Sequence, residues 1–169
     1  MEETVATGCV VKLDRGFPLV RLEDGRELRC KHATALVKGE HVRAVVGDRV
    51  RVSLAESNDK ALIVEVLPRS RELVRKDPTE RAVPQVLAAN FDRVIVTQPS
   101  TEVNMRRLER ELVLAHETGA AVSVVLTKAD LAESEDEVER VRERVLALVG
   151  ADVETLVVSE AMPKSVEAV

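Results

Sequence analysis

Thr127-Lys128-Ala129-Asp130 is the segment of this sequence best equipped for chemistry. A carboxylate carries only hydrogen-bond acceptors, and guanine offers it two donors side by side, the ring N1–H and the exocyclic amine; adenine does not present that pair. Lys128 can lay its methylene stem along base and ribose, and the Thr127 hydroxyl can hold the loop and order the backbone around it. The pattern [N/T]-K-x-D therefore reads as a loop that recognises guanine, at Thr127, Lys128, Ala129 and Asp130. A solvated, helix-capping loop is the alternative. Position favours recognition: ligands of open parallel sheets sit beyond the carboxyl ends of the strands, and this tetrapeptide directly follows the apolar run Ala121–Leu126.

A second apolar run, Leu156-Val157-Val158, leads into Ser159-Glu160-Ala161. The segment resembles the one whose backbone amides approach the guanine O6 in GTPases, and that resemblance makes Ser159 and Glu160 candidate guanine-binding residues. Glu160 in the second position, with Met162-Pro163 following, departs from the small, Gly-containing continuation usual for such a segment. Other chemistry is missing. No GxxxxGK[ST] loop occurs to cradle phosphates, and no DxxG to meet Mg²⁺ and a terminal phosphate. His32, His41 and His116 stand apart in sequence, so no nucleophile, base and orienting group assemble and no catalytic residue is assigned. Cys9 and Cys30 lack CxxC spacing and read as reduced thiols.

The elements that must position these loops differ between the two halves. Up to Pro68 the chain is strand and turn. Thr4–Leu13 is β-rich, Asp24-Gly25 is a hairpin turn between Leu19–Leu22 and Arg26–His32, and a longer connection passes the Gly39 region. Strict alternation then puts Val50, Val52 and Leu54 on one face, and Ala61–Leu67 follows. Five short strands with a long connection after the third predict a closed barrel of the OB type over residues 1–68, a different five-stranded barrel being the alternative. Arg69–Pro84 is polar, holds Pro78 and Pro84, and reads as a linker.

From residue 85 to 169 the period changes. Val94-Ile95-Val96 reads as a strand covered on both faces. Asn104 can cap a helix running through Thr118 to Gly119, with Met105, Leu108, Leu112 and Ala115 on its buried stripe. Ser134-Glu135-Asp136-Glu137 has the form of a capping box for a second helix, with Val138, Val141, Val145 and Leu148 inward. Strand, helix, strand, helix, strand calls for a parallel sheet with right-handed crossovers. Three parallel strands make a small, open-edged sheet, so an incomplete domain is expected; dimerisation, or cover from the barrel, would also answer the deficit.

Composition bounds the function class. With 45% apolar and 33% charged residues the chain is that of a globular protein, and its Met-Glu-Glu start and short apolar runs suit neither a secretion signal nor a membrane span. The cytoplasm is the expected compartment. Residues 1–76 carry 15 Lys and Arg against 12 Asp and Glu, whereas residues 77–169 carry 10 against 18, so polyanion contact belongs to the front half. With no Trp or Tyr and two Phe, that half offers little for bases to stack on. Ionic contact to RNA phosphates would fall to candidates such as Arg15, Arg29, Lys31, Arg49 and Arg51.

A guanine-reading loop that comes after a barrel, with one strand and helix between, is an unusual order. Together with Ala44-Val45-Val46-Gly47-Asp48-Arg49-Val50, Leu67-Pro68-Arg69-Ser70, Leu73-Val74-Arg75 and Gln85-Val86-Leu87-Ala88-Ala89-Asn90-Phe91-Asp92, it makes the chain closely resemble the circularly permuted, ribosome small-subunit-dependent GTPases of the RsgA (YjeQ) family over residues 5–160. The resemblance implies an N-terminal OB-type barrel followed by a partial, circularly permuted P-loop-GTPase-like parallel α/β domain. It implies GTP or GDP with Mg²⁺ as ligand of the complete protein, and zinc only in a further C-terminal domain. The implied partners are the small (30S) ribosomal subunit and its rRNA, with GTP hydrolysis coupled to late subunit maturation by a cytoplasmic monomer that contacts no membrane. Thr127 stands where many members have Asn. The residues here lack the phosphate loop and switch regions, so this stretch alone is expected to be inactive. A non-catalytic RNA- or ribosome-binding barrel with a vestigial α/β segment is the competing expectation.

Overall fold

The computed structural model describes residues 4–38, 42–54, 61–75, 85–167 and 169. They belong to two compact units, Met1–Phe91 and Asp92–Val169.

In the first unit, β1 (Thr4–Asp14), β2 (Phe17–Leu22), β3 (Glu27–His32), β4 (Arg49–Leu54) and β5 (Ala61–Val66) close a barrel in the order β1-β2-β3-β5-β4. Every pairing is antiparallel except β3 with β5. This is the OB topology, and it settles the choice between barrels. Alternation works as expected at Val50 and Val52, which with Val20, Cys30 and Ile63 are fully buried, while Leu54 is only half-buried. β1 must pair with both β2 and β4, and an irregularity between Val10 and Lys12 supplies the bend. Gly8 permits the crossing, since a Cβ there would lie 2.7 Å from the Arg21 carbonyl oxygen. Burial pushes the Cys30 thiol up to about 11, so it acts as a small core side chain. Cys9, on β1, is likewise a free thiol.

The connection after β3 contains a short helix, α1 (Thr34–Lys38), whose Leu36 is buried in the barrel core. Gly39 and His41 lie outside the described residues. His32 organises the return: its Nε2 accepts a hydrogen bond from the Ala44 N–H at 2.9 Å, which requires that nitrogen to be unprotonated. Burial, followed by the nearby Arg43 charge, lowers the His32 pKa. A lowered folded-state value means that this contribution to stability is complete above the unfolded value of about 6.5 and is lost as pH falls through the folded one. Urea unfolding midpoints are accordingly expected to drop between neutral pH and pH ~5. His32→Gln, whose amide oxygen can accept but does not titrate, flattens that slope; an unchanged slope contradicts the assignment.

Arg69–Pro84 reads as a linker in sequence, but its described part is bonded to the barrel. β6 (Glu72–Arg75) pairs antiparallel with β7 (Gln85–Ala89), and Pro78 and Pro84 lie outside the described residues. The division between units falls after Phe91, beyond the expected 84/85 boundary, because β7 belongs with β6. Asp48 has no solvent exposure and accepts from Arg69 Nε at 2.8 Å, Arg69 Nη2 at 2.9 Å and the Val45 N–H at 2.8 Å. Asn90, in the left-handed region at φ 54°, accepts from the Ser70 N–H and donates to the Gly47 carbonyl. Gly47, at φ 89°, packs so close to β7 that a Cβ would lie 1.8 Å from the Ala89 oxygen.

The second unit alternates strand and helix: β8 (Arg93–Pro99), α2 (Met105–Glu117), β9 (Ala121–Thr127), α3 (Glu135–Val149), β10 (Glu154–Val157) and a final turn α4 (Pro163–Val166). The three strands are parallel in the order β10-β9-β8. Two right-handed crossovers stepping the same way put α2 and α3 on one face. Leu108, Leu112, Ala115 and Val145 pack there against Val96, Val124 and Leu126 in one cluster. The opposite face of β8 is open: Ile95 is 43% exposed, so this strand is not covered on both sides as its apolar run suggests. Asn104 caps α2 by accepting from the Arg107 N–H. At α3 the Ser134 hydroxyl accepts from the Glu137 N–H, but the Glu137 carboxylate reaches the N–H of Glu133, one residue before its capping-box position. Among the described residues no helix is long and apolar enough to cross a membrane.

Candidate guanine-reading site

β9 ends at Thr127, and the chain turns sharply at Lys128, whose φ of 59° and ψ of 38° are left-handed. A single 3₁₀ turn, Ala129–Leu131, then carries Asp130. Three bonds fix the turn at the carboxyl end of the sheet. The Thr127 hydroxyl donates to the Gln98 carbonyl of β8, the Ser100 N–H donates to the Thr127 carbonyl at 2.8 Å, and the Ala129 N–H donates to the Val158 carbonyl. Thr127 thus does hold the loop through its hydroxyl, while the side chains of Lys128 and Asp130 face solvent.

Ser159 meets Asp130 directly. Its hydroxyl, 29 residues away in sequence, donates to Asp130 Oδ1 at 2.5 Å and accepts from the Ala161 N–H at 3.1 Å. Ser165 supports it from α4, accepting from the Ser159 N–H at 3.0 Å and donating to the Met162 carbonyl at 2.6 Å. Ser159 is 1% exposed. The carboxylate is therefore aimed by a buried donor and keeps lone pairs for an incoming ligand. A cavity of about 580 Å³ opens beside the pair, lined by Ala129, Val138, Val157, Ala161 and Met162. Glu160 is exposed, and its side chain has no bonding partner among the described residues.

From sequence, Ser159 is a candidate through its backbone, whereas in the structure its side chain bonds Asp130. Nothing in the sequence marks Ser165, because a Ser at the third position of a short helix carries no signal until the turn before it is formed. The barrel candidates do not form one cluster. Arg29 and Lys31 lie on β3, and Arg15 is in the β1–β2 turn at φ 48°. Arg49 and Arg51 lie on β4, where Arg51 is paired with Glu65 at 3.2 Å.

An OB barrel preceding a parallel α/β unit whose guanine-type loop follows its second strand is the layout of a circularly permuted GTPase. The family model described as RsgA GTPase matches residues 66–169. This chain belongs to that family. The small ribosomal subunit biogenesis GTPase RsgA of Streptomyces coelicolor is 38% identical over 130 residues, covering 76% of this chain and 35% of the relative. Its counterpart in Leptospira interrogans is 30% identical over 130 residues, covering 76% and 36%. The chain thus spans little more than a third of the length of these curated relatives. The crystal structure of YjeQ from Thermotoga maritima superposes with a TM-score of 0.63 at 25% identity, over 92% of this chain and 52% of that one. YloQ, a circularly permuted GTPase, gives 0.68 at 20% identity over 98% and 55%, a likeness of fold.

Proposed function

We propose that these residues are the barrel and the base-reading half of a GTPase that acts in biogenesis of the small ribosomal subunit. The observation that carries this reading is the Asp130 carboxylate, aimed by the buried Ser159 hydroxyl at the carboxyl end of a parallel sheet. In this reading Asp130 accepts from guanine N1–H and the exocyclic amine. The Lys128 stem covers base and ribose, Thr127 and Ser165 position the two loops, and, with the Ser159 N–H held by Ser165, the Glu160 N–H is the amide left for O6. Residues 1–68 act as the barrel that meets rRNA, and the α/β segment reads the nucleotide.

The residues present fit the base and not the phosphates. The sequence has no phosphate loop, and the described residues contain no cluster of three or more groups able to hold a metal. No hydrolytic step is assigned to this stretch. The protein acts in the cytoplasm as a monomer.

The test uses a full-length gene product containing these residues. Its GTP hydrolysis is expected to rise when isolated small ribosomal subunits are added, and large subunits to have no such effect. Hydrolysis indifferent to small subunits overturns the proposal. Subunit binding with no nucleotide binding at all supports the non-catalytic barrel instead.

A further inference from the structure

Phe17 is one of two aromatic residues in the chain, and it lies outside the core. It opens β2 with 36% exposure while its neighbour Pro18 is buried, so the strand's alternation turns the ring to the barrel exterior. The Arg29 guanidinium carbon lies 4.8 Å from the ring centroid, and Lys31 Nζ lies 5.9 Å from it. Both distances are within cation–π range. Asp14 steadies Arg29 from the side, at 3.5 Å from its guanidinium. Lys12 is exposed on β1 opposite Leu19, the β2 residue paired with Arg29, and Arg15 is exposed in the turn before Phe17.

We propose that this outer face of β2 and β3 is a stacking site for an unpaired RNA base, with Phe17 and Arg29 forming the stack and Lys31, Lys12 and Arg15 meeting the flanking phosphates. The proposal rests on the ribosomal reading above for the choice of RNA. It departs from the expectation that so few aromatics leave the barrel with ionic contacts only. One ring and one guanidinium plane suffice for one base, because every base has a π-face and Arg stacks as aromatics do. The surface is the one that OB barrels offer to oligonucleotides, the second and third strands beside the first turn. Arg49 and Arg51, on β4, are not part of it. The site selects single strands, since a base held in a duplex cannot enter the stack, and it is tolerant of sequence.

The test measures binding by the 169-residue chain to a labelled single strand of about ten ribonucleotides, with an RNA duplex of equal phosphate number as the charge control. Phe17→Leu keeps the apolar bulk and removes the π-face. It is expected to weaken single-strand binding about tenfold and to leave duplex binding within about twofold. Phe17→Trp is expected to retain affinity, and its indole, the sole Trp in the chain, to be quenched by the single strand. Failure of the wild-type chain to bind the single strand overturns the proposal, as does an equal effect of Phe17→Leu on both RNAs or none on either. Pelleting of the full-length protein with small ribosomal subunits is scored separately: its loss counts against the ribosomal reading, whereas a silent Phe17→Leu beside intact pelleting counts against the stack alone.

Discussion

Asp130→Asn in the full-length GTPase is expected to weaken GTP by on the order of 100-fold or more and to make xanthosine triphosphate the preferred nucleotide. Two charge-assisted hydrogen bonds are at stake, each contributing about 1.5–3 kcal/mol. The carboxamide can still accept from Ser159 and from N1–H, but its amino group now faces the exocyclic amine of guanine, donor against donor. Xanthine carries a carbonyl at that ring position and restores the pair. Competition between the two nucleotides for wild type and variant is the direct measurement. An unchanged preference would remove Asp130 from the site, and with it the reading of the whole loop. Folding is not at risk, because Asp130 is exposed and the Ser159 bond survives the change.

The second large effect lies far from the nucleotide. Arg69→Met is expected to cost about 3–5 kcal/mol of stability, since it leaves the fully buried Asp48 carboxylate with the Val45 N–H as its one remaining partner among the described residues. The Arg69 side chain is 18% exposed, so solvent screens the pair little. Asp48 in turn holds the guanidinium charged, raising the Arg69 pKa. The double variant Asp48→Asn with Arg69→Met should regain part of the loss, because no buried charge remains. Chemical unfolding monitored by circular dichroism measures both. A single variant within about 0.5 kcal/mol of wild type, the range of ordinary surface changes, would show the pair to be incidental.

These residues also mark where sequence reading worked and where it could not. Short-range patterns carried their own physics: the Val50 and Val52 alternation, the Asn104 cap and the placing of Thr127–Asp130 directly after a buried strand each depend on a few neighbouring residues and recur in the structure. In sequence, Gly47-Asp48, Arg69-Ser70 and Asn90 are separate strings with nothing to show why they belong together. The structure supplies the reason, since the three strings form one bonded latch between barrel and β6–β7 pair. Arg69 is 21 residues from Asp48, and no periodicity connects them. The same limit hid the Phe17 stack, which exists only once β2 and β3 are paired, and the Ser159–Asp130 contact, which needs β9 and β10 side by side. Polar Arg69–Arg75 misled because ion-pairing residues look solvated until their partner is known.

Lys128 sets local stability against ligand recognition. A left-handed backbone disfavours every side chain except Gly, Asn and Asp, by roughly 1–2 kcal/mol. Glycine at that position would relax the turn and delete the stem proposed to cover the nucleotide. If the proposed base-covering role holds, the left-handed Lys128 is a small stability–activity trade-off confined to one residue: Lys128→Gly is then expected to gain local stability and to weaken nucleotide binding.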